Sequence, residues 1–145
     1  MPPSANISNV APRAQGVLVC RIRSRLLRGG PSAIAGEFEL EHNSQSIVEI
    51  PVDRSPLQYL DLIVTNATGE IVSSSYYGDQ FSPLAETFVL ELRPGDRFVA
   101  PVSLLGTVRE ECRQPGSYFV HAVFDCNGMR AESLPIEVRF PGTAE

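Results

Sequence analysis

The sequence of 145 residues contains no lysine and no tryptophan, and it has only two histidines and three cysteines. No apolar run approaches the ~20 residues that a membrane-spanning helix needs, so we expect no membrane insertion. A zinc site needs about four cysteine or histidine ligands at short spacings, which these few residues do not provide. We therefore expect no metal ion and no cofactor.

The net charge is −5, and all 12 basic residues are arginine. Because nucleic-acid phosphates repel an acidic chain, we exclude nucleic acid as the main partner. The sequence also lacks a Gly-x-Ser-x-Gly elbow, a convergent pair of carboxylates and a phosphate-cradling glycine loop. These absences predict that the protein is not an enzyme and has no catalytic residues.

The sequence has three cysteines, Cys20, Cys112 and Cys126, and an odd number cannot all pair with one another in disulfides. We interpret them as small buried side chains or free thiols, with a Cys112–Cys126 disulfide as the alternative. A thiol-dependent enzyme would need an exposed, activated cysteine. Cys20 next to His42 is the one pair that suggests such an enzyme, and we keep it as a minor alternative.

Residues 1–15 are rich in Pro, Ala, Ser and Asn, and we predict a disordered leader or linker there. Residues 16–141 are expected to form one β-sandwich domain, with a short tail at 142–145. The beginning of the chain lacks the basic and apolar regions of a signal peptide. Together with the odd cysteine count, this slightly favours a cytoplasmic location. A secreted or cell-surface location stays open if the sequence is a piece of a longer precursor.

From residue 17 onward, apolar and polar residues alternate with a period of two, and turn residues interrupt the alternation at spacings of roughly 8–12 residues. This pattern predicts an all-β protein. We expect an antiparallel, two-sheet, immunoglobulin-like sandwich of about eight or nine strands, with a closed barrel as the alternative. The predicted strands are 17–26, 34–42, 46–52, 59–65, 70–73, 87–92, 97–104, 115–125 and 132–140.

The first two predicted strands carry a stripe of arginines and a stripe of glutamates. An antiparallel register in which the paired residue numbers sum to 62 places every arginine opposite a glutamate. The pairs are Arg25 with Glu37, Arg23 with Glu39, and Arg21 with Glu41. The same register puts Cys20 opposite His42. We interpret the charged stripes as a solvated sheet face with a ladder of ion pairs, since such exposed pairs are common.

Three local features sharpen this expectation. Tyr118 follows a Pro-Gly turn and suits a tyrosine corner, in which the hydroxyl bonds back to the preceding connection. Asn127-Gly128 predicts a type I′ hairpin that pairs Cys126 with Met129 and Asp125 with Arg130. Pro135 cannot donate a backbone hydrogen bond, so we expect an edge position or a bulge there.

Two loops carry the candidate partner-binding residues. Residues 73–81 combine Tyr, Ser and Gly, as antibody paratopes do, whereas residues 106–114 form a long and charged connection. The alternative is that one tyrosine and Phe81 pack under the sandwich edge and that the second loop only connects strands. The candidate residues are Tyr76, Tyr77, Asp79, Gln80, Phe81, Arg109, Glu110 and Arg113.

Four segments occur in an order and spacing that match a known family. They are Glu-His-Asn-Ser at 41–44, the strand and return at 60–72, Leu-Arg-Pro-Gly-Asp at 92–96, and Pro-Gly-Ser-Tyr-Phe-Val at 115–120. The stretch 38–124 resembles the bacterial intracellular proteinase inhibitors, which are immunoglobulin-like sandwiches. The resemblance implies that fold, a bacterial source and, as an alternative function, inhibition of a serine proteinase. It assigns no individual site residue.

The leading functional hypothesis does not depend on that resemblance. A sandwich that bears loops and lacks catalytic groups predicts a non-catalytic module that binds another protein or a polysaccharide. Neither the identity of this partner nor the oligomeric state follows from the sequence.

Overall fold

The alternating sequence folds into β-strands joined by turns. The computed structural model describes residues 17–25 and 35–141; the predicted leader at 1–15 and tail at 142–145 lie outside them. Helical segments within the described residues are three single 3₁₀ turns at Pro56–Tyr59, Tyr77–Gln80 and Glu110–Cys112, and none could cross a membrane. The strands are β1 (Leu18–Ser24), β2 (Ala35–His42), β3 (Val48–Val52), β4 (Leu60–Asn66), β5 (Phe88–Leu92), β6 (Arg97–Ser103), β7 (Gly116–Cys126), β8 (Met129–Glu132) and β9 (Ile136–Phe140). The all-β class is confirmed.

The strands form three antiparallel groups: β1–β2–β6, β4–β7–β9 with β8 also on β7, and β3–β5. The hydrogen bonds between His42 and the Gly95–Asp96 turn connect the β2–β6 pair to the β3–β5 pair. The longest strand, β7, pairs with β4 along one edge and with β8 and β9 in succession along the other. The strands at the two sides of β7 are therefore joined through it.

The expected irregularity at Pro135 is confirmed. Glu132 lies opposite Val123 and Ile136 lies opposite Val120, so the edge strand contains one residue more than β7 between these pairs. Ser133 fills the gap, because its hydroxyl accepts a hydrogen bond from Ala122 N (2.8 Å) and its own N–H donates to Ala122 O (2.9 Å). The bulge thus satisfies both polar groups of Ala122 despite the proline.

One hydrophobic core joins the three-stranded and four-stranded sheets. Phe38 of β2 stacks on Phe124 of β7 with ring centroids 6.1 Å apart, and Tyr59 meets Phe124 edge to face at 5.9 Å. Leu40, Leu62 and other inward residues of both sheets are fully buried around these rings. Burial of each such side chain contributes roughly 1.5–3 kcal/mol, which makes this core the main source of stability.

The register of β1 and β2 differs from the predicted one by two residues. Arg21 lies opposite Glu39, and Arg23 lies opposite Glu37, so that the paired numbers sum to 60. A shift of two residues keeps every side chain on its predicted face, and the alternation cannot distinguish the two registers. In the observed register Gly36 lies next to the Arg23 carbonyl and under Leu104, where a Cβ would be only 2.6 Å from the Leu104 side chain.

Two local predictions are confirmed. Asn127 and Gly128 have φ values of 53° and 93°, as a type I′ turn requires, and Cys126 pairs with Met129 as expected. The Tyr118 hydroxyl accepts a hydrogen bond from Gln114 N (2.7 Å) and donates one to Gln114 O (3.0 Å). This is the tyrosine corner predicted from the Pro-Gly turn.

Candidate interaction surface

The two predicted loops meet beside β4. Ser74 N donates to Thr107 O (2.8 Å), and the Thr107 hydroxyl donates to the Leu62 carbonyl of β4 (2.7 Å). The Ser73 hydroxyl accepts a hydrogen bond from Val64 N (3.3 Å). These contacts satisfy backbone groups on the side of β4 that faces away from β7. The loops therefore close an edge of the sheet as well as connecting strands.

Tyr77 anchors the first loop from inside the molecule. Its side chain is 5% exposed and packs edge to face on Phe81, and its hydroxyl accepts a hydrogen bond from Ser103 N in β6 (3.1 Å). Its backbone N–H donates to the Asp61 carboxylate (3.1 Å). Tyr77 therefore does not lie on the surface, which contradicts its assignment as a partner contact. The alternative, in which one tyrosine and Phe81 pack under the edge, is confirmed.

The same hydroxyl helps to close the free edge of β6. The carbonyl of Ala35, which lies opposite Ser103, accepts a hydrogen bond from Arg25 N–H on the β1 side, and the direction of the backbone groups alternates along β2. The backbone nitrogens of Pro101 and Ser103 consequently face away from β2. Proline has no N–H, and the Ser103 N–H is taken by Tyr77. This end of the edge offers no free backbone donor at either residue.

Tyr76, in contrast, lies on the outside and is 37% exposed. Its ring covers Gly78, where a Cβ would be only 2.8 Å from the ring. Burial of part of the phenol raises the pKa of Tyr76, and the carboxylates of Asp61, Asp125 and then Asp79 raise it further. Tyr76 lies beside β4, because the N–H of the next residue, Tyr77, donates to the Asp61 carboxylate.

Two exposed polar residues follow Tyr76 in the sequence, after the buried Tyr77 and Gly78. Asp79 and Gln80 are both exposed, and Gln80 is held by a hydrogen bond from its Nε2 to Tyr77 O (3.1 Å). Arg54 approaches from the turn after β3, where its Nη1 donates to Gly78 O (3.4 Å) and lies 3.9 Å from the Asp79 carboxylate. Tyr76, Asp79 and Gln80 thus form one outward-facing group on an anchored loop.

In the second loop, Arg113 has a structural task. Its half-buried guanidinium donates to Val108 O and Leu105 O, both at 3.0 Å, and so ties the loop to itself. Arg109 and Glu110 remain exposed, and Arg109 lies 3.6 Å from Glu111. No hydrogen bond or ion pair within the described residues joins Arg109 or Glu110 to the Tyr76 group. Hydrogen bonds and ion pairs therefore do not join the eight candidate residues into one group in the described part of the chain.

The sequence analysis missed Gln58, which fixes the turn that carries Arg54. The Gln58 side-chain oxygen accepts hydrogen bonds from the N–H groups of Asp53, Arg54 and Ser55 at 3.0–3.3 Å, and its Nε2 donates to Asp53. The Ser55 hydroxyl reciprocates by accepting from Leu57 N (3.1 Å). A Ser-Pro-Leu-Gln sequence is the pattern of a capping box, and that signal was available at 55–58.

A second missed feature is the outer face of the four-stranded sheet, which we call the acidic face. Strand registers place Asp61, Val123 and Glu132 in one row, and Thr65, Phe119 and Glu137 in another. These rows combine three strands that are distant in sequence, so no local pattern reveals them. Phe119 is 38% exposed in the middle of this face.

A shallow cleft of about 230 Å³ lies between the hairpin at Asn66–Thr68 and the segment from Cys112 to Tyr118. Cys112 is exposed there, whereas Cys20 and Cys126 are buried, and all three thiols are free. The alternative Cys112–Cys126 disulfide is therefore absent. The Asn66 side chain is already engaged, since its Oδ1 accepts hydrogen bonds from the N–H groups of Thr68 and Glu70.

Cys20 and His42 do not form the pair that the predicted register implied. Cys20 lies opposite Leu40, and its thiol is 3.9 Å from the Ala122 carbonyl. Burial raises the pKa of Cys20 to about 12, so the thiolate is scarce at neutral pH. Both ring nitrogens of His42 contact the 43–46 bend: Nδ1 accepts from Ser44 N (3.1 Å), and Nε2 contacts Ser46 O. This arrangement disfavours a thiol-dependent enzyme.

Within residues 17–25 and 35–141, no group of three His, Cys, Asp or Glu side chains could hold a metal ion. The chain matches no protein-family model, and no curated protein shows significant sequence similarity to it. Interpretation of the surface therefore depends on its own geometry and chemistry.

Proposed function

We propose that the protein is a non-catalytic, immunoglobulin-like sandwich module that binds another protein or a polysaccharide through Tyr76, Asp79 and Gln80. The observation that carries this proposal is the inward anchor at Tyr77. Because Tyr77 fixes the loop from below, its neighbours are held outward without further ordering. A preordered contact group loses less conformational entropy on binding than a mobile one.

The sandwich part of this proposal has separate support. Side chains of the three-stranded and four-stranded sheets meet in one core, with Phe38 stacked on Phe124. The tyrosine corner at Tyr118 is a feature of immunoglobulin-like sandwiches. The successive pairing of β2 with β6 and of β3 with β5 is also typical of strands that pass from one sheet to another.

Site-specific cross-linking in the native source tests the binding group. The photo-crosslinking amino acid p-benzoylphenylalanine replaces Tyr76 or Gln80 in two variants, and it replaces Val99 or Glu49 in two controls. Val99 and Glu49 are exposed on other strands, β6 and β3. We expect a discrete adduct from positions 76 and 80 that is absent from positions 99 and 49. Equal adduct formation at all four positions would contradict the proposal.

A polysaccharide partner requires a second arm, because carbohydrate adducts are harder to detect. The labelled full chain is applied to an array of polysaccharides, and bound classes are measured again with the Tyr76→Ser variant. We expect retention on one class and at least about tenfold weaker retention of the variant, since exposed aromatic rings contribute strongly to binding. If both arms are negative, the binding group is wrongly assigned.

Inhibition of a serine proteinase is the second candidate function. Residues 82–87 are exposed throughout, and Leu84 is 40% exposed on this segment. An exposed apolar side chain on a loop is what a proteinase specificity pocket could accept. The resemblance of residues 38–124 to the intracellular proteinase inhibitors also favours this candidate. Residual activity of several serine proteinases at micromolar protein tests it, and Leu84→Asp should relieve any inhibition.

A further inference from the structure

The acidic face has an apolar centre that residues 17–25 and 35–141 leave exposed. Phe119 is 38% exposed at its middle, and Ile63 and Thr65 are half-buried beside it on β4. Ile71 is 68% exposed next to Thr65, to which it is joined by an isolated bridge. Leu134 projects from the bulge at the opposite edge and is 85% exposed. These four apolar side chains, Ile71, Ile63, Phe119 and Leu134, form a discontinuous apolar strip across the sheet, because Thr65 lies opposite Phe119 and His121 lies opposite Ile63 on the same face.

Carboxylates surround this strip. Within the described residues, two of them, Asp61 and Glu137, form no ion pair: Asp61 accepts hydrogen bonds from backbone N–H groups, and Glu137 accepts one from the Ser117 hydroxyl. Asp125 and Glu132 share the single guanidinium of Arg130 at 3.5 and 2.8 Å. The five carboxylates on or beside this face are Asp61, Asp79, Asp125, Glu132 and Glu137, and the three arginines are Arg54, Arg130 and Arg139.

The outer faces of the three-stranded and four-stranded sheets differ in how their carboxylates are paired. On the outer face of β1, β2 and β6, four arginines meet three glutamates, and every one of those glutamates contacts an arginine. Within the described residues of these two outer faces, only the acidic face offers carboxylates that are not already paired with arginine. An arginine or lysine side chain of a partner would therefore bind there. Complementary charge of this kind steers encounter and selects among partners.

We propose that the acidic face binds a basic protein segment in which lysine or arginine alternates with apolar residues. Its apolar side chains would cover Phe119 and the neighbouring strip, and its cations would meet Asp61, Asp79 and Glu137. This assignment rests on the proposed binding function and deepens it, because Tyr76 and Asp79 border the same face. A polysaccharide does not match the combination of an apolar strip and an excess of carboxylates.

Binding of a synthetic peptide of alternating lysine and valine to the full chain tests this assignment by fluorescence anisotropy. Phe119→Thr and Glu137→Gln each remove one group from the face. We expect about tenfold and about threefold weaker binding, respectively. The matched controls, Val99→Thr and Glu49→Gln, remove the same kinds of group elsewhere and should leave the affinity unchanged. Raising the NaCl concentration from about 50 to about 500 mM should weaken binding, because salt screens exposed charges.

Two further probes separate the alternatives. A peptide of alternating glutamate and valine should not bind, and chitosan oligomers, which are cationic but lack apolar side chains, should bind more weakly than the basic peptide. The assignment is overturned if the acidic peptide binds equally well, or if the face variants and the controls have the same effect. Cross-linking at positions 76 and 80 is independent of these probes. If it succeeds while the basic peptide fails, only the partner class is wrong.

Discussion

The outer faces of the three-stranded and four-stranded sheets both carry arginines and carboxylates, but these groups are paired differently on the two faces. On the charged face of β1, β2 and β6, Glu39 lies between Arg21 and Arg23 at 2.9 and 2.8 Å, with Arg97 at 3.8 Å. The Glu39 side chain is only 8% exposed because these arginines cover it. On the acidic face, Asp61 and Glu137 contact no arginine in the described part of the chain. The first face is neutralised by its own residues, and the second is not.

This difference shows that alternating charge alone does not reveal a binding surface. Isolated exposed ion pairs contribute little to stability, but a shared carboxylate within a network contributes more. The arginines also hold the Glu39 carboxylate in its ionised form: hydrogen bonding to Arg23 lowers the pKa of Glu39, despite partial desolvation, and Arg97 lowers it further. The charged face thus supports the fold, whereas the acidic face keeps its charge available.

The largest expected effect tests whether the two sheets unfold as one unit. Cys20 lies between them with a pKa raised to about 12 from 9.0. As the pH rises above 9, the unfolded chain loses this proton first, so the free energy of unfolding should fall by up to ~4 kcal/mol by pH 12. Denaturant titrations of the wild type and Cys20→Ala should show a flatter alkaline slope for the variant. Cys112→Ala, which removes an exposed thiol, serves as the matched control.

The next effect separates the two faces directly. Glu39→Gln removes the charge at the centre of three arginines and should lower the free energy of unfolding by about 1–3 kcal/mol at pH 7. Glu137→Gln removes an exposed carboxylate that contacts only Ser117, and it should change stability by less than about 0.5 kcal/mol. Urea unfolding of both variants measures the contrast. Equal destabilisation would mean that the charged face does not support the fold as described.

Acid should remove the contribution of Glu39 selectively. Because its pKa is lowered in the folded state, its stabilising effect is present above about pH 4.5 and declines as the pH falls through the folded pKa. The stability difference between the wild type and Glu39→Gln should therefore shrink on acidification. Glu137→Gln serves as the matched control, because its carboxylate contacts no arginine within the described residues. A Glu39→Gln difference that is constant from pH 7 to pH 3 would refute this account.

The smallest expected effect concerns the exposed apolar residues of both faces. Phe119→Thr and Val99→Thr should each alter the free energy of unfolding by less than about 0.5 kcal/mol, because threonine keeps the strand propensity and both side chains are exposed. Thermal unfolding provides the measurement. A large loss in Phe119→Thr alone would show that Phe119 packs within the fold, and it would weaken the role of the acidic face in binding.

Local sequence predicted the features that depend on neighbouring residues. The Asn127-Gly128 hairpin and the Tyr118 corner are correct because their geometry is set within a few residues. The faces of β1 and β2 are also correct, but their register is wrong by two residues. Alternation fixes only which side chains point inward, and a shift of two residues leaves that unchanged, so the alternation does not determine the register.

Features that depend on distant segments were not predictable in this way. The irregular segment 73–81 has no period, so nothing in it distinguishes the buried Tyr77 from the exposed Tyr76. The two tyrosines differ because distant residues bind Tyr77. Ser103 N–H donates to its hydroxyl, and the Asp61 carboxylate accepts from its backbone N–H. The acidic face likewise combines residues from β4, β7, β8 and β9, and it requires the correct pairing of all four.

The double task of Tyr77 limits how this fold can be engineered. A grafted loop that replaces residues 73–81 without the tyrosine would lose the support that holds the loop outward. It would also leave the Ser103 N–H without its partner, on the side of β6 that faces away from β2. A graft library based on this chain should therefore keep position 77 fixed and vary positions 76, 79 and 80. Clones that lack the tyrosine at position 77 should self-associate, because the exposed edge of β6 can then pair with another chain.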